Sequence, residues 1–152
     1  MIVYLESNIV DAPSNIWWLD TRATIHVTNS LKKMTNYRKP TSVEHKVYMG
    51  DGTRNNVELL EDSQITVFHR TFFGLQEVAY IPSIRRNLIS VSTLDRSGYS
   101  FLLGTGNVIL HCDFILIGNG ILCGNLHKLD LVDMSLLSSC SSLNIVVTTK
   151  WP

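Results

Sequence analysis

Short apolar runs, separated by glycine and polar residues, recur along most of the chain. Trp17-Trp18-Leu19 is an aromatic-rich apolar run of the kind found in buried strands. Residues 24–28 (T-I-H-V-T) alternate polar and apolar side chains, and this period of two predicts a second strand. Similar patterns predict strands over residues 45–49, 57–60, 64–69, 72–81, 99–103, 108–112, 114–117 and 122–131.

Turn signals and one helical pattern lie between these strands. Residues 50–52 (G-D-G) predict a hairpin, because Gly and Asp tolerate positive φ, and residues 104–107 (G-T-G-N) predict another. The one convincing helical pattern covers residues 88–97, where Leu and Val recur at helical spacing and Gly98 is placed for a C-cap. A short helical turn is also predicted over residues 31–34.

Together these elements predict an all-β fold, a barrel or sandwich with one short helix. The length of 152 residues suits one domain. We expect an extended lead-in over residues 1–15, the barrel domain over 16–131, and a Ser-rich tail or linker over 132–152.

Composition narrows the classes of function. Lys+Arg and Asp+Glu are 13 each, and this zero net charge argues against a domain held to nucleic acid by bulk charge. No apolar run approaches the roughly 20 residues of a membrane helix, and no secretory signal is recognisable, so we expect an intracellular, cytoplasmic protein without a membrane partner. Three cysteines, Cys112, Cys123 and Cys140, without a C-x-x-C pair, argue against a disulfide scaffold and a structural zinc site.

The strongest chemical signal is Asp20-Thr21, directly after the apolar run W-W-L. An apolar strand that delivers Asp-Thr into a tight turn is the arrangement of aspartic proteases, where two carboxylates share one proton because like charges about 3 Å apart cannot both ionise easily. One carboxylate then acts as base toward water and the other as acid toward the substrate carbonyl. The Thr21 hydroxyl is expected to lock the turn by hydrogen bonding. The tetrapeptide alone equally describes an aspartate that ends a strand at a turn.

Four separated blocks extend this signal into a family resemblance. In order they are W-W-L-D-T-x-A-T-I-H-V-T-N, V-Y-M-G-D-G-T, V-A-Y-I-P-S-I-R-R-N-L-I-S-V-S-T-L-D-R-S-G-Y-S-F and G-I-L-C-G-N-L-H-K-L-D-L. The chain resembles the protease segment of copia-type retrotransposon Gag-Pol polyproteins, especially those of plant elements. The resemblance covers about residues 6–131.

What the resemblance implies is a small closed β-barrel related to retroviral-type aspartic proteases, active as a homodimer that cuts its own polyprotein. Asp20 falls on the family's catalytic aspartate and Thr21 on the Ser/Thr that follows it. The number of Asp-Thr turn motifs agrees with a dimer, because a catalytic dyad needs two carboxylates and the chain has one such motif. A two-fold axis would place Asp20 of one chain against Asp20 of the other. We expect a polypeptide substrate and neither a cofactor nor a bound metal.

Arg22 departs from the family, which usually has Gly at this position. Gly lets two such turns approach closely at a dimer axis, whereas Arg adds a long side chain and a charge that favours ionisation of both carboxylates. We therefore expect activity to be abolished or severely reduced. The alternative is a non-catalytic β-barrel, a dimerisation or peptide-binding remnant of a decayed element. The missing zinc knuckle, integrase triad and polymerase favour such a fragment.

Three other parts of the sequence could contribute to the same site or to the fold around it. His26 is common at its position in the family, and the sequence assigns it only packing or hydrogen bonding. Residues 50–52 could form a flap-like element over the cleft, by resemblance alone. Residues 87–90 (N-L-I-S) are a hallmark of the family fold's second half, which we interpret as structural.

Overall fold

The computed structural model describes residues 2–3, 16–31, 34–68 and 71–130, and within them strands dominate. The first strands are β1 (Ile2–Val3), β2 (Trp17–Asp20), β3 (Val27–Thr28), β4 (Met34–Arg38), β5 (Lys46–Met49), β6 (Arg54–Asn56), β7 (Leu59–Phe68) and β8 (Thr71–Tyr80). They are followed by β9 (Asn87–Ser90), α1 (Val91–Arg96), β10 (Tyr99–Gly104), β11 (Asn107–Cys112), β12 (Ile115–Cys123) and β13 (Leu126–Asp130). The all-β class with one short helix is confirmed. The predicted tail and nearly all of the predicted lead-in lie outside the described residues.

Ten of the strands form one sheet, in the order β10-β11-β12-β13-β2-β9-β3-β8-β7-β4. The small second sheet has the order β1-β5-β6. Within the described residues β10 and β4 remain edges, so the large sheet is open, and the closure we expected of the barrel is not present. Closing a sheet requires hydrogen bonds between its two edge strands, and here the edges do not pair.

Strand β9 lies between two strands that are consecutive in sequence. It runs parallel to β2, with Trp18 opposite Leu88, and antiparallel to β3, with Val27 opposite Leu88. The connection from β2 to β3, residues 21–26, therefore crosses the end of β9 where α1 begins. This crossing places the Asp-Thr turn against the helix N-terminus.

The core consists of two apolar clusters on opposite faces of β2. Trp18 belongs to one cluster, together with Ala23 and Leu88. Trp17 and Leu19 belong to the other. Alternation of side chains along a strand explains the division, and it makes β2 a strand buried on both faces.

The predicted helix over residues 88–97 is only partly correct. Its first three residues, 88–90, belong to β9, whose four residues are all buried, and the helix starts at Val91. Apolar residues that satisfy helical spacing fit an interior strand equally well when both strand edges are hydrogen-bonded, and β9 has a neighbour on each side.

Several other element boundaries also differ from those predicted. Residues 57–60 and 64–69 were expected as two strands, but β7 is continuous, with an irregular register near Glu61. Only Val27–Thr28 of the strand predicted over 24–28 is formed, and β4 begins where a helical turn was expected. Residues 118–120 (G-N-G), between the strands predicted over 114–117 and 122–131, lie inside β12, and a Cβ on Gly120 would come 2.5 Å from the Lys128 carbonyl oxygen.

The described part of the chain contains no helix long and apolar enough to cross a membrane.

Candidate active site

Asp20 is the last residue of a central strand. Strand β2 pairs with β13 on one side and with β9 on the other, and its four residues are all buried. Asp20 itself is 2% exposed. The carboxyl group is therefore carried by a rigid element and lies within the single chain rather than on its surface.

Hydrogen bonds from the turn hold one oxygen of this carboxylate and leave the other free. Asp20 Oδ1 accepts the backbone N–H of Arg22 at 2.8 Å. Asp20 Oδ2 is buried and has no hydrogen-bond partner among the described residues. Burial raises the pKa of Asp20, and this effect is opposed by the amides of Arg22 and Ala23 and, least of all, by the charge of Arg22. Oδ2 is therefore the atom able to hold or share a proton.

Thr21 and Arg22 are both exposed on this turn. The Thr21 hydroxyl makes no hydrogen bond within residues 16–31, 34–68 and 71–130, unlike the lock expected of it. The turn is held from outside instead, where Ser90 Oγ donates to the Ala23 carbonyl oxygen at 2.8 Å.

Ser90 joins the turn to the helix. It lies opposite Asp20 in the β2–β9 register, is fully buried, and is the N-cap of α1, with its side chain accepting the Thr93 N–H at 3.1 Å. Thr93 Oγ1 adds a contact to the Thr24 carbonyl oxygen at 3.2 Å. Ser90 is not recognisable as a site residue from the predicted elements, because it lies inside the helix predicted over residues 88–97. A serine just ahead of a helix is nevertheless an N-cap signal that could have found it.

His26 closes the same connection from its other end. It is 2% exposed, and its Nδ1 accepts the backbone N–H of Ser90 at 3.0 Å. Burial, and secondarily the charge of Arg96, lower the pKa of His26 to about 4. The side chain is therefore neutral at pH 7, and the hydrogen-bonding interpretation of this histidine is confirmed.

A second buried carboxyl, Glu61 in β7, was not singled out from the sequence. It is 2% exposed, and neither carboxylate oxygen has a hydrogen-bond partner among the described residues. Strand β7 lies four strands away from β2 in the order of the large sheet. Because neither Glu61 oxygen has a hydrogen-bond partner among the described residues, Glu61 and Asp20 do not form a hydrogen-bonded dyad in the single chain.

The hairpin predicted at residues 50–52 is present between β5 and β6. Asp51 Oδ1 accepts the N–H and the hydroxyl of Thr53 at 2.8 and 2.7 Å, and Gly52 has φ +83°. Val47 and Met49 of β5 belong to the same apolar cluster as Ala23 of the Asp20 turn. The base of the hairpin is thus anchored in the cluster that supports the turn.

Metal ligands do not converge in the part of the chain that the structure describes, where no group of three or more His, Cys, Asp or Glu could hold an ion. Cys112 and Cys123 are free thiols. Cys140 lies outside the described residues.

Comparison with protein families identifies the family to which the chain belongs. The model of the family described as "Pol polyprotein, beta-barrel domain" matches residues 17–99, more than half of the chain. This segment starts at β2, contains Asp20 and the β5–β6 hairpin, and ends just beyond α1. No curated protein and no solved structure matches the chain significantly.

Proposed function

The chain belongs to the family of Pol polyprotein beta-barrel domains, and on that premise we propose that it is an aspartic-protease-like domain of a copia-type retrotransposon Gag-Pol polyprotein. Its reaction would be cleavage of peptide bonds in its own polyprotein, with Asp20 as the catalytic residue. The observation that carries the proposal is the geometry of Asp20: a carboxyl at the end of a buried strand, with Oδ1 tied to the turn and Oδ2 without a partner among the described residues.

The proposed active form is a homodimer. A single chain supplies one such carboxyl at a strand-end turn, and Glu61, the other buried carboxyl among the described residues, makes no hydrogen bond with it. In a two-fold dimer, the Oδ2 atoms of two Asp20 residues would share one proton, one carboxyl activating water and the other protonating the substrate. The β5–β6 hairpin is the proposed flap over the cleft, since its strand β5 packs into the cluster beneath the turn.

Arg22 is the residue that we propose to have reduced or abolished the protease activity. Its backbone N–H holds Asp20 Oδ1, a bond that glycine would keep, so only the side chain distinguishes the two residues here. That side chain is exposed on the turn, on the surface that a second copy must approach. Two such side chains at the axis add bulk and positive charge beside the dyad, and both effects oppose a shared proton.

The experiment compares purified wild-type chain with the Arg22→Gly variant on a peptide library at mildly acidic pH. Thermal unfolding verifies that each protein is folded, and light scattering gives its mass. We expect cleavage by Arg22→Gly at least about 100-fold faster than by wild type, in line with the loss of one pre-organised group. The double variant Arg22→Gly/Asp20→Asn should be inactive. Absence of cleavage by folded Arg22→Gly protein would refute the protease proposal.

One observation favours a second function, a non-catalytic β-barrel that dimerises or binds peptides. Asp20 is 2% exposed in the single chain, so another molecule reaches its carboxyl only if the segments covering it move. Under this alternative Asp20 only terminates strand β2, and the Arg22→Gly variant does not cleave peptides whether it is a monomer or a dimer. Peptide capture by the same library, read by binding rather than cleavage, would then support it.

We also propose that the domain works in the cytoplasm, where its free thiols Cys112 and Cys123 remain reduced.

A further inference from the structure

His26 is a buried residue whose contacts join three parts of the fold. Its carbonyl oxygen accepts the Ala79 N–H of β8 at 2.9 Å, which fixes its backbone. Its imidazole Nδ1 accepts the Ser90 N–H at 3.0 Å, at the junction of β9 and α1. Since His26 ends the connection that starts at Asp20, these bonds set where that connection lies.

The acceptor role of Nδ1 determines the state of the ring. A neutral imidazole has one N–H and one acceptor nitrogen, so the proton of His26 must be on Nε2. A protonated imidazole has no acceptor, and an N–H on Nδ1 would point at the N–H of Ser90. The hydrogen bond therefore exists only in the neutral, Nε2-protonated form.

Ser90 transmits this bond to the catalytic turn. Its N–H is held by His26, while its Oγ donates to the Ala23 carbonyl oxygen at 2.8 Å and accepts the Thr93 N–H at 3.1 Å. Ser90 also lies opposite Asp20 in the β2–β9 register. Displacement of the Ser90 backbone would thus move both the helix N-terminus and the turn that carries Asp20.

We propose that His26 is a positioning residue: its neutral imidazole clamps the Ser90 backbone and thereby holds the Asp20 turn against α1, and its protonation releases that turn. The inference rests on the proposed function only in giving the turn a catalytic purpose. The clamp itself is a property of the folded chain and can be measured without substrate.

The surroundings of His26 keep the ring neutral. Burial lowers the pKa of His26 to about 4, and the charge of Arg96 on α1 acts in the same direction. Two neighbouring strands contain no charged residue: β9, and β3, which directly follows His26.

Charged groups on the remaining neighbouring elements are Glu77 in β8 and Asp20 and Arg22 in the turn. In β8, Glu77 lies two residues from Ala79 and forms an ion pair with Arg38 at 2.9 Å. In the turn, Asp20 Oδ1 is bound by the Arg22 amide. Release of the clamp is therefore expected at acidic pH, with a midpoint near the pKa of His26.

Two substitutions distinguish the role of the hydrogen-bond acceptor from that of the titratable imidazole ring. His26→Asn places an amide oxygen near the position of Nδ1 and removes the titration, whereas His26→Leu keeps much of the volume and removes the acceptor. Long-range ¹H–¹⁵N NMR reads the imidazole tautomer of the full wild-type chain, and the Ser90 amide shift and hydrogen exchange follow the clamp between pH 3 and 7. If His26→Leu does not fold, the wild-type tautomer and the His26→Asn titration still decide the question.

We expect the Nε2-protonated tautomer at pH 7, a Ser90 amide shift that titrates near pH 4, and no such titration in His26→Asn. Ser90 exchange should be at least about tenfold faster in His26→Leu than in wild type, since a buried N–H loses its acceptor. An Nδ1-protonated ring, or a Ser90 amide indifferent to pH and to His26→Leu, would overturn the proposal.

The same substitutions in the Arg22→Gly background separate this inference from the proposed function. If Arg22→Gly cleaves peptides, adding His26→Leu should lower kcat at least about tenfold, because a misplaced group loses orientation. Adding His26→Asn should preserve kcat and extend activity to lower pH. Unchanged kcat and pH profile in both double variants would refute the clamp and leave the protease assignment intact. If the Arg22→Gly protein does not cleave peptides but its Ser90 amide titrates as expected, the protease assignment is refuted and the clamp is supported.

Discussion

Replacing Glu61 by Gln should stabilise the domain at neutral pH and leave its stability unchanged in acid. Glu61 lies opposite Val78 in the β7–β8 ladder and is 2% exposed. Neither of its carboxylate oxygens has a hydrogen-bond partner among the described residues. An ionised carboxylate here loses its hydration without compensation, whereas a neutral side chain of the same shape does not carry that cost.

The magnitude follows from the pKa of the buried group. Burial raises the pKa of Glu61 from 4.5 to about 7. Below pH 4.5 the carboxyl is protonated in both the folded and the unfolded chain; between 4.5 and 7 only the unfolded chain gives up the proton, so stability falls as pH rises. One pKa unit corresponds to about 1.4 kcal/mol, which sets an upper bound of about 3 kcal/mol. Relaxation of the protein around a buried charge lowers the effect below this bound, and we expect about 1–2 kcal/mol.

The assay is urea unfolding of wild type and Glu61→Gln at intervals from pH 4 to pH 8. The difference in unfolding free energy between the two proteins should be near zero at pH 4, grow to pH 7 and then stay constant. Asp20, whose pKa is also raised by burial, contributes equally to both proteins and cancels from the difference. Glu58→Gln, at an exposed position of the same segment, is the matched control and should change stability by less than about 0.5 kcal/mol.

His26 should act with the opposite sign over nearly the same range. Its pKa is lowered from 6.5 to about 4, so stability rises with pH between these values, and the two slopes oppose each other in the wild type. Relative to wild type, the stability of Glu61→Gln should therefore rise more with pH over this range, and that of His26→Asn should fall more. A difference between Glu61→Gln and wild type that stays constant from pH 4 to pH 8 would refute the reasoning.

Two further predictions concern packing, each read as the midpoint of urea unfolding. Gly120→Ala should cost about 1–3 kcal/mol, because its Cβ would lie 2.5 Å from the Lys128 carbonyl oxygen; Gly104→Ala, with nothing within 4 Å, is the control, and equal effects would contradict the explanation. Leu110→Ala, at a position with 0% exposure, should cost about 2–5 kcal/mol. Leu102→Ala, 63% exposed, should cost less than about 0.5 kcal/mol, and similar losses at both leucines would contradict the observed core.

Local patterns in the sequence determined the strand-rich class, the G-D-G hairpin and the position of Asp20 at a strand end. These features depend on neighbours within a few residues: an apolar run favours a buried strand, and Gly and Asp favour the tight turn. The four buried residues of β2 and the bonds of Asp51 to Thr53 agree with that reasoning. The proposal that a dyad would need a second chain rests on counting residues alone.

Only the tertiary structure decided which distant groups meet these local elements. Leu88 recurs at helical spacing with Val91 and Leu94, yet residues 88–90 form part of a strand because β2 and β3 hydrogen-bond both of its edges. Ser90 and His26 are 64 residues apart in the chain, and no periodicity along the sequence reports that their N–H and Nδ1 are 3.0 Å apart. Whether the sheet closes depends on pairing between β10 and β4, and whether Glu61 is buried depends on the strands beside β7. Such contacts arise from chain topology, whereas the period of polar and apolar residues determines only which face of each element is buried.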